Sequence, residues 1–163
     1  MKKIIETDYS GLDRPEILMN LFHPRREWNQ TVGQNGGEDI LIPVEDDIVV
    51  GARAYLCAKS GPTILFFHGN GEIVSDYDEL APFYNHNGIN FLPVDYRGYG
   101  QSTGQPTVTA MMRDCHRIFH FVKEKHVSGG YTGPLIIMGR SLGSASALEL
   151  AFHHSDQMDG LII

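Results

Sequence analysis

The chain is poor in cysteine, poor in basic charge and without any long apolar run, and each shortage removes a class of protein. Two cysteines in 163 residues cannot build a disulfide-stapled scaffold or a four-thiolate metal centre. Cys57, in an expected strand, and Cys115, on the apolar face of an expected helix, read as small core residues. Thirteen Lys and Arg stand against 20 Asp and Glu, a net charge of −7, which leaves no basic stripe for a nucleic-acid backbone and no like-charge tail. No apolar stretch approaches the ~20 residues of a membrane span. Met1-Lys2-Lys3 opens like a signal peptide, but Glu6 and Asp8 arrive before any apolar h-region. The expectation is a soluble, cytoplasmic protein with neither a nucleic-acid nor a membrane partner.

With 42% hydrophobic residues the chain can fill one core and is too short for two. From Glu38 onward strand and helix signals alternate, which predicts a mostly parallel sheet with helices on both faces. Residues 40–44 and 48–56, separated by Glu45-Asp46-Asp47, predict an opening hairpin. Residues 63–67 and 89–94 predict short apolar strands. Between them a helix is expected from a Ser75 cap to about Asn85, kinked or cut short by Pro82. After Pro106, Val108, Met111, Met112, Cys115, Phe119 and Val122 fall on one helical face, a core stripe. Residues 135–138 predict a strand, and the helix beyond it ends near His154. Residues 1–37 form an expected N-terminal extension: Asp13 caps a short helix through Phe22, Pro24 ends it, its apolar side packs on the main body, and residues 31–37 connect flexibly to the domain of residues 38–163.

The chemistry concentrates at Gly139-Arg140-Ser141-Leu142-Gly143, between the strand of residues 135–138 and the helix that follows. Strand, sharp turn and helix with a serine at the apex form a nucleophile elbow: the turn lifts the hydroxyl to the top of the sheet, and the flanking glycines let strand and helix approach. A second match, Gly100-Gln101-Ser102-Thr103-Gly104, has no strand directly before it and no helix directly after it, so Ser102 reads as a loop serine. A serine attacking an acyl carbon needs two donors aimed at the developing oxyanion. The backbone N–H of Leu142 is one candidate, and the backbone N–H of Asn70, in His68-Gly69-Asn70-Gly71 after the third strand, is the other. His68 reads as a loop-fixing residue rather than a general base. Arg140 is open to two readings, a contact for an anionic group or a salt-bridged structural residue.

These three segments, His68-Gly69-Asn70, Asp95-Tyr96-Arg97-Gly98-Tyr99-Gly100-Gln101-Ser102 and Gly139 to Gly143, resemble the α/β-hydrolase superfamily in its bacterial serine-hydrolase branch. The resemblance covers about residues 38–163. It implies an α/β-hydrolase fold, Ser141 as nucleophile, Asn70 and Leu142 as oxyanion hole, a small acyl substrate, no cofactor, and the Asp95–Ser102 segment as a structural loop behind the site.

The triad does not close within the chain. In this fold the acid and then the base follow the serine, yet His153 and His154 lie at the far end of the same helix, roughly 18 Å from the hydroxyl at 1.5 Å per residue. Asp156 and Asp159 precede the next strand at the opposite edge of the sheet. Gly160-Leu161-Ile162-Ile163 stops inside an expected strand. The reading is therefore the N-terminal part of a longer hydrolase of esters, thioesters or amides, acting through an acyl-enzyme on Ser141, with acid and base outside the chain. The alternative is a catalytically incomplete fragment that binds a ligand or self-associates through an unpaired apolar sheet edge. Nucleotide binding fails on Thr103, which stands where a third glycine belongs in a G-x-G-x-x-G. Metal chemistry finds no ligand set, because the adjacent His153 and His154 point to different faces of one helix.

Overall fold

A computed structural model describes residues 7–27 and 36–163; the expected connection over residues 31–37 lies outside the described residues up to position 35. Six strands form one sheet: β1 (Glu38–Glu45), β2 (Ile48–Ala54), β3 (Thr63–Phe67), β4 (Asn90–Val94), β5 (Leu135–Gly139) and β6 (Gly160–Ile162), in the order β1-β2-β4-β3-β5-β6. β1 and β2 are the expected antiparallel hairpin, with Glu45 opposite Ile48 and Asp47 in the left-handed region at φ 60°. β4, β3, β5 and β6 run parallel, with Phe67 level with Val94 on one side and Gly139 on the other.

Alternating side chains of β3 and β4 supply two cores. Leu65, Phe67, Leu92 and Val94 face the larger one, filled by Met111, Cys115, Phe119 and Val122 of α3 (Val108–Ser128) and by Ala147 and Leu150 of α4 (Gly143–His154). Ile64, Phe66 and Phe91 face the other side with Ala81 of α2 (Ala81–His86). Helices thus cover both faces, as the alternating pattern requires.

Three local expectations are corrected. Residues 75–85 do not form one helix. A 3-10 turn over Val74–Tyr77 precedes α2, and Pro82 falls in the first turn of α2, where a missing N–H costs no helical bond, so the proline starts this helix rather than ending one. Asp13 does not cap its own helix, α1 (Pro15–Leu21), whose N-cap is Arg14. Its carboxylate instead accepts from the N–H groups of Val108 (2.8 Å) and Thr109 (3.2 Å), beside Thr107, which accepts from Ala110, so it helps to cap α3 from 95 residues away. Cys57 is not a core residue, because β2 ends at Ala54 and leaves the thiol exposed, whereas Cys115 is buried.

The described N-terminal segment lies against the domain. Phe22 enters the larger core, with Tyr9, Leu18 and Leu21 packed on it, and the Gly100 N–H donates to the Arg25 carbonyl at 2.8 Å. At the opposite edge of the sheet from β1, β6 exposes Leu161 and Ile162. No helix among the described residues is long and apolar enough to cross a membrane.

Candidate active site

Ser141 takes φ 52°, a left-handed conformation that side chains other than glycine rarely adopt. The turn is held by Gly143 N–H to Arg140 carbonyl (2.9 Å), Ser144 N–H to Ser141 carbonyl (3.0 Å) and Arg140 N–H to Phe67 carbonyl (3.0 Å). Both flanking glycines are sterically required. A Cβ on Gly139 would lie 2.5 Å from the Gly143 carbonyl oxygen, and one on Gly143 would lie 2.0 Å from the Phe67 carbonyl oxygen. Without them α4 could not sit on β3, and the serine could not stand exposed between them.

The Phe67 contact places the elbow beside the loop leaving β3. The site therefore lies at the carboxyl ends of β3 and β5, where the chain leaves β3 for β4 on one side and β5 for β6 on the other. Clefts of α/β sheets open at such a switch point.

His68 is fully buried, with Nδ1 2.8 Å from the Gly69 carbonyl and Nε2 3.0 Å from Asp95 Oδ1. Asp95 also accepts from Val74 N–H at 3.0 Å, and burial pushes its carboxyl above the usual range. Tyr96 O–H donates to the His68 carbonyl at 2.6 Å. Both ring nitrogens of His68 are thus engaged inside the loop, which makes it a fixing residue.

Asn70 uses its side chain for the same purpose. Its Oδ1 accepts from His23 N–H and Tyr99 O–H, each at 2.9 Å, and its Nδ2 lies 2.7 Å from His23 Nδ1. With the amide side chain committed, a contact from Asn70 to a substrate would come from its backbone. Glu72 closes the loop, accepting from Gly69 N–H (2.7 Å) and Tyr77 O–H (2.6 Å) while ion-pairing with Arg140. Arg140, open to two readings in the sequence, is salt-bridged here, and that bridge ties the β3 loop to the elbow. A cleft of about 320 Å³ runs beside it from Glu72 and Arg140 along Tyr77, Tyr84 and Phe91.

Ser102 is buried, and its hydroxyl accepts from Gly51 N–H at 2.9 Å. Arg97 of the same loop makes a two-bond pair with Asp114 of α3, at 2.6 and 2.7 Å, so the segment braces the site from behind. Asp159 pairs through its carboxylate and its N–H with the backbone of Leu135. That is the wrong end of β5, about 13 Å from its carboxyl end at 3.3 Å per residue. His153 and His154 both meet His116 of α3, at the end of α4 remote from Ser141.

Sequence reasoning missed His23, Tyr99 and Glu72. Glu72 carries a local signal, a carboxylate three residues after the N–H it accepts. His23 and Tyr99 carry none, since only folding brings them to Asn70.

A family profile described as serine aminopeptidase S33 matches residues 58–163. The chain belongs to this α/β-hydrolase family. Among relatives of this hydrolase, protein bem46 of Schizosaccharomyces pombe is 29% identical over 106 residues, covering 64% of this chain and 35% of bem46. The lysophosphatidylserine lipase ABHD12 of Gallus gallus is 37% identical over 94 residues, 56% of this chain and 24% of ABHD12. The chain thus spans about a third or less of the length of these relatives. Among solved structures, Est1E from Butyrivibrio proteoclasticus, with ferulic acid bound, superposes with a TM-score of 0.65 at 19% identity over 75% of this chain and 50% of Est1E. A predicted CIB-like hydrolase from Thermoplasma acidophilum superposes at 0.58 with 24% identity, over 77% and 60%. These likenesses establish the fold.

Proposed function

We propose that this chain carries the nucleophile and oxyanion hole of a serine hydrolase. Ser141 Oγ attacks the acyl carbon, the N–H groups of Asn70 and Leu142 hold the oxyanion, and the leaving group departs as an acyl-enzyme forms. The observation that carries the reading is the elbow itself: a serine held at φ 52° between two obligatory glycines, directly beside a braced loop in which the Asn70 side chain is committed to His23 and Tyr99. The ABHD12 relatives are lysophosphatidylserine lipases, which favours a carboxylic ester over a thioester or amide. We place the acid and base outside these 163 residues: His68 is engaged with Asp95 and Gly69, His23 Nδ1 is engaged with the Asn70 side chain, and His153 and His154 sit at the remote end of α4.

The test is intact-mass detection of a fluorophosphonate adduct. The expected result is slow labelling, confined to the Ser141 peptide, abolished in Ser141→Ala and rising about tenfold per pH unit, since hydroxide alone ionises the serine. A folded chain that never labels, or labels equally in Ser141→Ala, overturns the assignment of Ser141. A labelling rate that levels off near pH 7 overturns the external base.

A further inference from the structure

The largest cluster of metal-binding side chains in the described chain lies away from the elbow, where α3 crosses α4. Glu149 and His153 are one turn apart on α4, with His153 Nε2 3.3 Å from Glu149 Oε1. His116 of α3 brings its Nε2 to 3.4 Å from that same oxygen. These three donor atoms lie within 4.8 Å of one another.

We propose that His116, Glu149 and His153 form a binding site for a divalent d-block cation of the zinc type. Zinc bonds imidazole nitrogen at 2.0–2.1 Å and carboxylate oxygen at about 2.0–2.2 Å, so two ligand atoms at a tetrahedral angle stand roughly 3.3–3.5 Å apart. Both nitrogen-to-oxygen separations already have that length, and a side-chain rotation of one histidine closes the third. Two imidazoles and one carboxylate suit zinc, cobalt or nickel, and offer too little oxygen for calcium or magnesium.

The surroundings complete the argument. His116 Nδ1 lies 2.8 Å from His154 Nε2; with the proton on Nδ1, His116 is oriented and its Nε2 lone pair turns to the cation. Tyr9 O–H donates to the other oxygen of Glu149 at 2.7 Å, leaving Oε1 to coordinate. Outer partners of this kind are what orient metal ligands and raise their basicity. The side chains of His116, Glu149 and His153 are 18%, 12% and 7% exposed, open enough for an ion to enter and for a water to take the fourth position. The expectation that no ligand set exists, because His153 and His154 point to different faces of α4, is corrected: both rings meet His116 of α3, with centroids 5.3 and 5.0 Å away. The ligand set forms because α3 supplies the other imidazole, so one histidine ligates and its neighbour orients.

At eight and twelve residues beyond Ser141, roughly 12 and 18 Å along the helix, the ion does not reach the acyl-transfer site. It would pin α4, the helix that carries the elbow, to α3 and, through Tyr9, to the N-terminal segment.

The experiment is zinc and cobalt titration of the chelator-stripped 163-residue chain, with a chromophoric competitor for affinity and the visible cobalt spectrum for geometry. One ion per chain with a tetrahedral cobalt spectrum is expected. His116→Gln, His153→Gln and Glu149→Gln should each weaken binding at least about 100-fold, Tyr9→Phe about 10-fold, and His126→Gln, farther along α3, not at all. Glu149→Gln preserves volume and one acceptor for Tyr9, so it reports even if a histidine variant fails a circular-dichroism check. Failure of the wild-type chain to retain an ion, an oxygen-rich octahedral cobalt spectrum, or affinity unchanged in Glu149→Gln would each overturn the site and leave an ordinary imidazole–carboxylate hydrogen-bond cluster.

Discussion

Gly143→Ala tests the contact on which the whole site rests. The new methyl would lie 2.0 Å from the Phe67 carbonyl oxygen, 2.5 Å from its carbon and 2.8 Å from the His68 carbonyl oxygen, where ordinary contact begins at 3.4 Å. All three are backbone atoms, so no flexible side chain can swing aside, and α4 must part from β3 by more than about 1 Å in a close-packed interior. That movement sacrifices the Arg140 N–H to Phe67 carbonyl bond, roughly 1 kcal/mol, on top of roughly 1–3 kcal/mol for overpacking. A loss of about 3 kcal/mol with a urea m-value of about 2 kcal/mol per molar lowers the unfolding midpoint by about 1.5 M. The same displacement carries Leu142 N–H away from the Asn70 loop, so fluorophosphonate labelling of Ser141 should fall about 100-fold. Gly71→Ala is the control. Its φ is +75° but no atom lies within 4 Å of the added carbon, which limits the cost to about 1–2 kcal/mol of backbone strain. Were the Gly143 contact absent, alanine at the first residue of a helix would stabilise by up to about 1 kcal/mol. The two expectations differ in sign, and a midpoint for Gly143→Ala that is unchanged or raised refutes the reasoning.

Ser141→Gly should unfold at higher urea than Ser141→Ala by about 1 kcal/mol, because glycine relieves the left-handed strain that alanine retains; equal midpoints would mean the turn stores none. Asp13→Ala should cost about 1 kcal/mol and speed amide exchange in the first turn of α3 while leaving β5 protected, and an unaffected first turn would show that the N-terminal segment does not dock there. Ser102→Ala leaves the Gly51 N–H buried without its acceptor and should cost about 1–3 kcal/mol, with labelling of Ser141 retained; loss of labelling at undiminished stability would make Ser102 the reacting serine.

The elbow was legible because its determinants are local. An apolar strand, a glycine-flanked serine and a small-residue helix occupy consecutive positions, and steric exclusion at Gly139 acts against Gly143 and Ser144, its neighbours in sequence, whereas the exclusion at Gly143 comes from Phe67 and His68 at the end of β3 and only the fold supplies it. The hairpin, the core stripe of α3 and the parallel class of the sheet were legible for the same reason, as periodicities of 2 and 3.6 within single segments. Pro82 was misread because a proline is equally at home in the first turn of a helix and at its break, and the choice depends on where the preceding 3-10 turn stops. Asp13 was misread because a carboxylate caps whichever N-terminus reaches it.

What the sequence determined by itself is that a strained serine stands at the end of a parallel strand next to a glycine-rich loop, since bond geometry and short-range sterics act along the chain. What only the tertiary structure decided is what surrounds that serine and that helix. His23 and Tyr99 meet at Asn70, Glu72 reaches Arg140 from the end of the neighbouring strand, and His116 arrives opposite Glu149 and His153, because hydrogen bonds and ion pairs join atoms about 3 Å apart with no regard for the number of residues between them.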